Sequence, residues 1–150
     1  MGASGAATAA IPEAAQRSIL VVDDDSDIRE LVADVLRHAG YAVTTAGDGP
    51  AALRAMDECA PDVILLDLVM PNGGGEEFLR AYRAGERGSP SAGMSQEASG
   101  RQPTIVAFTA LVDGTERAAA LGVEHTLPKP FHVPQLLRDV ARWSGDAAAR

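Results

Sequence analysis

Two kinds of apolar run alternate along this chain. "SILVV" (18–22) is apolar without alternation after its serine, the pattern of a strand buried on both faces. "SDIRELVADVLRHAG" (26–40) follows, with Ile28, Leu31, Val32, Val35 and Leu36 recurring on one face of a helix. Ser26 or Asp27 can cap its start and Gly40 its end. The alternation then repeats. "YAVTTA" (41–46) reads as a strand and "GPAALRAMDECA" (49–60) as a short helix with Leu53 and Met56 on one side. Pro61 breaks the chain before "DVILLDLV" (62–69), the most apolar strand, and "GEEFLRAYRA" (75–84) is a third helix. "TIVAFTA" (104–110), the Ala-rich helix "DGTERAAALG" (113–122) and "VEHTL" (123–127) come next. The last helix, "VPQLLRDVARWS" (133–144), has Pro134 in its first turn and an apolar stripe of Leu136, Leu137, Val140 and Trp143.

Five strand–helix units predict an α/β fold, a doubly wound parallel sheet with right-handed crossovers. The expected domain runs from 18 to 144, between a flexible tail at 1–17 and a short one at 145–150. "GERGSPSAGMSQEASGRQP" (85–103) is rich in Gly, Ser and Pro and reads as a disordered insertion. It joins a helix to a strand, so it belongs at the N-terminal edge of the sheet.

Composition narrows the function. With 46% apolar and 23% charged residues the chain can bury a real core. A net charge of −8 argues against direct nucleic-acid binding. Cys59 stands alone, in a setting without metal-ligand spacing; no internal disulfide is possible and a structural thiol in a reducing cytosol is the expectation. The Ala/Gly-rich N-terminus lacks a basic region and a strong apolar core, so neither a signal peptide nor a membrane span is expected. The expected location is cytoplasmic. Of the 13 basic residues, twelve are arginine; Lys129 in "LPKPF" is the only lysine.

In open parallel sheets, ligands bind where the strands end. Asp23, Asp24 and Asp25 follow the first strand, Asp67 the third, Thr109 closes the fourth and Lys129 follows the fifth. Singly, each has an ordinary explanation: an Asp caps a helix, a Thr fills a strand, a Lys is solvated. Together they put acids, a hydroxyl and the only ammonium on one edge. Converging carboxylates do not stay ionised together unaided. A hard divalent cation such as Mg²⁺ resolves this, because it takes carboxylate oxygens together with water and phosphate oxygens. Hydroxyl and ammonium then suit the remaining oxygens of a phosphoryl group, with a central carboxylate as acceptor.

Carried by "ILVVDDD", "VILLDLVMPNGGG", "VAFTA" and "LPKPF", the sequence resembles the receiver domain of bacterial response regulators over about residues 18–143. The resemblance implies the flavodoxin-like, CheY-like sheet order 2-1-3-4-5 with five flanking helices. It implies that Asp67 accepts phosphate from a sensor histidine kinase or a phosphotransfer protein. Asp24 would contact Mg²⁺ directly, Asp23 mainly through water, and the Val69 carbonyl would add a ligand beside Asp67. Thr109 and Lys129 would contact phosphoryl oxygens, small Ala110 would leave room, and Pro130 matches a proline often preceded by a cis peptide. Asp25 falls where the family varies and receives no catalytic role. Val69 and Leu111 would flank the attacking water; both are apolar, which implies slow self-dephosphorylation. The implied product is a signalling phosphoacceptor, monomeric or weakly dimeric, and not an enzyme acting on other substrates. A downstream protein would read the face built from the fourth helix, fifth strand and fifth helix.

The sequence departs from the family pattern in three places. Thr126 stands where the family usually has Tyr or Phe, and His125 beside it points to the other face. Glu76 stands where an apolar residue usually starts the third helix, after an "NGGG" run that reads as flexible. The insertion at 85–103 is longer than usual. Two rival readings remain: a degenerate receiver serving only as an interaction module, which would ordinarily have lost an acid, the Thr or the Lys; and a haloacid-dehalogenase-type phosphatase, for which Asp23 and Asp25 have the right spacing but Asp67 does not. After Trp143 only "SGDAAAR" remains, leaving open a stand-alone receiver, a phosphorelay shuttle or a fragment.

Overall fold

The computed structural model describes residues 17–70, 74–84, 103–110 and 114–144. Strands β1 (Ser18–Val22), β2 (Ala42–Ala46), β3 (Val63–Leu66), β4 (Thr104–Thr109) and β5 (His125–Pro128) alternate with helices α1 (Ser26–His38), α2 (Gly49–Cys59), α3 (Gly74–Arg83), α4 (Gly114–Ala120) and α5 (Val133–Trp143). The strands form one parallel sheet in the order β2-β1-β3-β4-β5. The chain leaves β1 for the edge, then returns past β1 to β3, so the direction of winding reverses between β1 and β3. This is the crevice where the fold class places its ligands.

The non-alternating strands follow from two cores. Leu20, Val22, Ile64 and Leu66 face one, against Met56 of α2 and Phe78 and Leu79 of α3. Ile19, Val21, Val63 and Leu65 face the other, against Val32 and Leu36 of α1 and Leu136 and Val140 of α5. Both sides of β1 and β3 therefore leave water, at about 1.5–3 kcal/mol per large apolar side chain buried. Trp143 packs half-buried against the second core, as the apolar stripe of the last helix predicts.

Local differences from the sequence reading have physical causes. Leu31 is 49% exposed, whereas Ala33 is buried. The helix is rolled toward the small alanine, which turns Leu31 outward. Neither Ser26 nor Asp27 caps α1: the cap is Asp25, whose carboxylate accepts from the N–H groups of Asp27 and Ile28. Gly40, at φ 103, follows the helix end as expected. β5 begins at His125, two residues later than predicted, because Gly122 at φ 77 and the Val123 N–H, donating to the Ala118 carbonyl at 2.8 Å, are still closing α4. The tail at 1–16, the insertion at 85–102 and the tail at 145–150 lie outside the described residues.

Candidate functional site

Strand register assembles the site. Val22 pairs with Leu66, so the next residues, Asp23 and Asp67, emerge side by side. Each extends the ladder by one bond: the Asp23 N–H donates to the Ala46 carbonyl at 3.1 Å and the Asp67 N–H to the Val22 carbonyl at 2.9 Å. On the neighbouring strands Thr109 pairs with Pro128, and the Lys129 N–H donates to the Thr109 carbonyl at 3.0 Å. The Lys129–Pro130 peptide is cis.

The side chains converge. Carboxylate oxygens of Asp23, Asp24 and Asp67 lie within 4.8 Å of one another. Asp23, Asp67 and Thr109 are buried, and Asp24 is exposed to solvent. The Lys129 ammonium donates to Asp23 Oδ2 at 2.6 Å and to Asp67 Oδ2 at 3.2 Å, and sits 4.8 Å from the centre of the Phe108 ring. The remaining oxygens of the two buried acids are held by local turns. Asp23 Oδ1 accepts from the Asp25 N–H at 3.0 Å and Asp67 Oδ1 from the Val69 N–H at 2.9 Å. β3 therefore stops at Leu66, short of the predicted 69, because Asp67 turns the chain onto its own carboxylate.

Electrostatics separate the roles. Burial raises the Asp67 carboxyl from 3.8 to about 6; the Val69 N–H and Lys129 oppose the rise and the Asp23 charge adds to it. Burial would lower Lys129, but the bond to Asp23 and the charges of Asp67 and Asp23 outweigh it and the ammonium is held above its usual 10.5. With Asp67 ionised, three carboxylates face the Lys129 ammonium, with the Arg29 guanidinium on the Asp23 carbonyl nearby, and the cluster keeps an excess of negative charge. A divalent cation with oxygen preference fits that donor set and that charge; Asp23, Asp24 and Asp67 are the side chains that could hold it. Val69, 53% exposed, has its backbone beside Asp67, to whose Oδ1 its N–H donates.

The two described glycines of the "NGGG" run, Gly74 and Gly75, are packed rather than loose. Gly74 and Gly75 are buried, and Gly74 adopts φ 62. A Cβ on Gly75 would run into the Asp67 carbonyl oxygen and stand 3.0 Å from Leu68 Cα. The first turn of α3 thus rests directly on the backbone of Asp67, and only glycine permits that approach. Glu76, unexpected as an acid, forms an ion pair with Arg117 of α4 and lies 4.0 Å from Arg80. Thr126 is half-buried in β5, and the His125 ring lies 5.7 Å from that of Trp143. Leu111, named for the water route, lies outside the described residues.

Two contributors were not singled out for the site from sequence. Asp25 spends its carboxylate on the α1 cap, which explains the third acid of the run. Arg29 reaches back to donate to the Asp23 carbonyl at 2.7 Å. The Asp-Ser-Asp run permitted the first; no spacing rule announces the second.

Comparison with known proteins agrees with this geometry. A family model for the response regulator receiver domain matches residues 19–141. The DNA-binding response regulator MtrA of Mycolicibacterium paratuberculosis is 35% identical over 127 residues, 83% of this chain and 50% of its own. The phosphate regulon transcriptional regulatory protein PhoB of Klebsiella pneumoniae is 32% identical over 123 residues, 81% of this chain and 48% of its own. The chain thus spans about half the length of these curated relatives. Among solved structures, the Vibrio cholerae chemotaxis protein CheY4 superposes with TM-score 0.68 at 32% identity, covering 85% of this chain and 98% of that one. The Thermotoga maritima response regulator TrrA, solved with Mg²⁺ and a beryllium fluoride, gives 0.64 at 26% identity, covering 85% and 99%.

Proposed function

Because the chain belongs to the response regulator receiver domain family, we propose that Asp67 accepts a phosphoryl group from a histidine kinase or phosphotransfer protein and that a partner protein reads the change. The observation carrying this reading is the buried Asp67 carboxylate, which shares the Lys129 ammonium with Asp23 inside a cluster of three acids. Mg²⁺, held by Asp23, Asp24, Asp67 and the Val69 carbonyl, would supply positive charge against the phosphoryl oxygens. Asp67 attacks phosphorus as the carboxylate, forming its O–P bond as the P–N bond of the donor phosphohistidine breaks and the imidazole leaves, and Lys129 passes from its two carboxylates to a phosphoryl oxygen. Thr109, at the end of β4, donates its hydroxyl to another. The site turns over only its own phosphoryl group, and apolar Val69 and Leu111 leave hydrolysis slow. The surface that changes is the one formed by α4, β5 and α5.

The test is incubation with acetyl phosphate. One stoichiometric phosphoryl group, acid-stable and alkali-labile, should form in Mg²⁺ and fail to form in EDTA. Repeated turnover of a phosphate monoester without a phosphoprotein would refute the reading. A phosphoryl half-life of seconds would refute the slow hydrolysis.

A further inference from the structure

We propose that Arg29 is a positioning residue for the metal-binding acids: it fixes the peptide between Asp23 and Asp24 so that the exposed Asp24 carboxylate faces the other two. The inference rests on the acid cluster being a Mg²⁺ site. Three of the four polar groups of Asp23 are already tied: its N–H to Ala46, its Oδ1 to the Asp25 N–H and its Oδ2 to Lys129. The fourth, the carbonyl, belongs to the peptide plane that leads into Asp24. Arg29 Nη1 donates to it at 2.7 Å, from a first-turn position of α1 six residues away. With that bond made, rotation of the 23–24 peptide is blocked, and Asp24 leaves the strand end in one direction.

The seat for the guanidinium is built by a second element. Gly47 follows β2, whose last residue, Ala46, accepts the Asp23 N–H. A Cβ at position 47 would stand 3.1 Å from Arg29 Nη1 and 3.7 Å from its Cζ. The absent side chain leaves the space that the guanidinium occupies. Removing a group that orients a metal ligand without touching the metal typically costs about 10–100-fold in metal affinity. A cation beside an acid cluster also repels a metal, but Asp24 faces water, where that repulsion is screened. Positioning therefore outweighs charge.

The test is isothermal titration of the full chain with MgCl₂, with melting in EDTA as the check on folding. Arg29→Met removes donor and charge; Gly47→Val keeps the charge and displaces the donor; Arg29→Lys keeps the charge and one donor. The first two should weaken Mg²⁺ binding about tenfold, while Arg29→Lys recovers part of the loss. Should Arg29→Met be unfolded in EDTA, the Gly47→Val and Arg29→Lys pair decides by the same criterion. Unchanged or tighter Mg²⁺ binding in Arg29→Met or Gly47→Val, with the wild type binding normally, would overturn the inference alone. Failure of the wild type to bind Mg²⁺ would overturn the metal site itself and the inference with it.

Discussion

The two halves of the sheet's carboxyl edge are built by different means. On the β1–β3 side the acids are set by backbone. Ladder bonds run one residue past each strand, tight turns hold Asp23 and Asp67, and Gly75 lets α3 lie on the Asp67 peptide. On the β4–β5 side one such ladder bond, from the Lys129 N–H to the Thr109 carbonyl, also runs past the strand, but α4 is tied to α3 through side chains. β5 buries only Leu127, and the seven-residue α4 is joined to α3 by Glu76–Arg117 and by Arg83, which donates to the Leu121 and Gly122 carbonyls. Backbone ties bound to a packed core break only when the fold opens. Half-exposed ion pairs are worth about 1 kcal/mol or less and can be exchanged. The acids proposed to hold a cation thus sit on the rigid half. The groups expected to follow a change of charge at Asp67 sit on the half held by replaceable contacts.

The largest effect that would test this division comes from Lys129, whose ammonium joins the halves through Asp23 and Asp67. Lys129→Met leaves two buried carboxylates without their cation and should cost about 3–5 kcal/mol in EDTA by denaturant unfolding. Mg²⁺ should restore more stability to this variant than to the wild type.

Next comes Asp67 itself. Its carboxyl in the folded protein, near 6, lies above the ordinary 3.8, so the unfolded chain loses its proton first as pH rises. The stability linked to that proton is complete below 3.8 and is lost as pH climbs through about 6. In EDTA, Asp67→Asn should therefore be the more stable protein at pH 7, by up to about 3 kcal/mol. The gap should close as the solution is acidified below 4 and narrow when Mg²⁺ is added. A pH-independent difference would contradict the assignment of burial as the cause.

Gly75→Ala, which drives a methyl into the Asp67 peptide, should cost about 1–3 kcal/mol. Gly49→Ala is the control. It too is buried, but a Cβ there meets its nearest neighbours at 3.7 Å, so little change is expected. Equal effects would mean that Gly75 is not held against the Asp67 peptide. The smallest effect belongs to the other half: a double-mutant cycle on Glu76 and Arg117 should give a coupling of about 1 kcal/mol or less.

The same division explains what was legible in the sequence. Strand identity follows from the apolar runs, and the placement of Asp23, Asp67, Thr109 and Lys129 on one edge from what ends them, because parallel register carries strand ends to a common edge; the sheet order was implied by the family resemblance. The lone lysine among arginines pointed to the residue that now bridges two acids. Contacts decided by packing were not legible. The "NGGG" run suggested freedom, yet Gly75 marks a close approach of α3 to Asp67. Leu31 belonged to the apolar stripe, but the roll of α1 toward Ala33 turned it out. The acid at Glu76 made sense only with Arg117 opposite it, and Arg29 gave no sign of its reach to the Asp23 carbonyl.

The most direct measurement is intact mass after incubation with acetyl phosphate and Mg²⁺, comparing the wild type with Asp67→Asn. One added phosphoryl group is expected on the wild type and none on the variant. The same modification on both, or none on either, would contradict Asp67 as the phosphoryl acceptor.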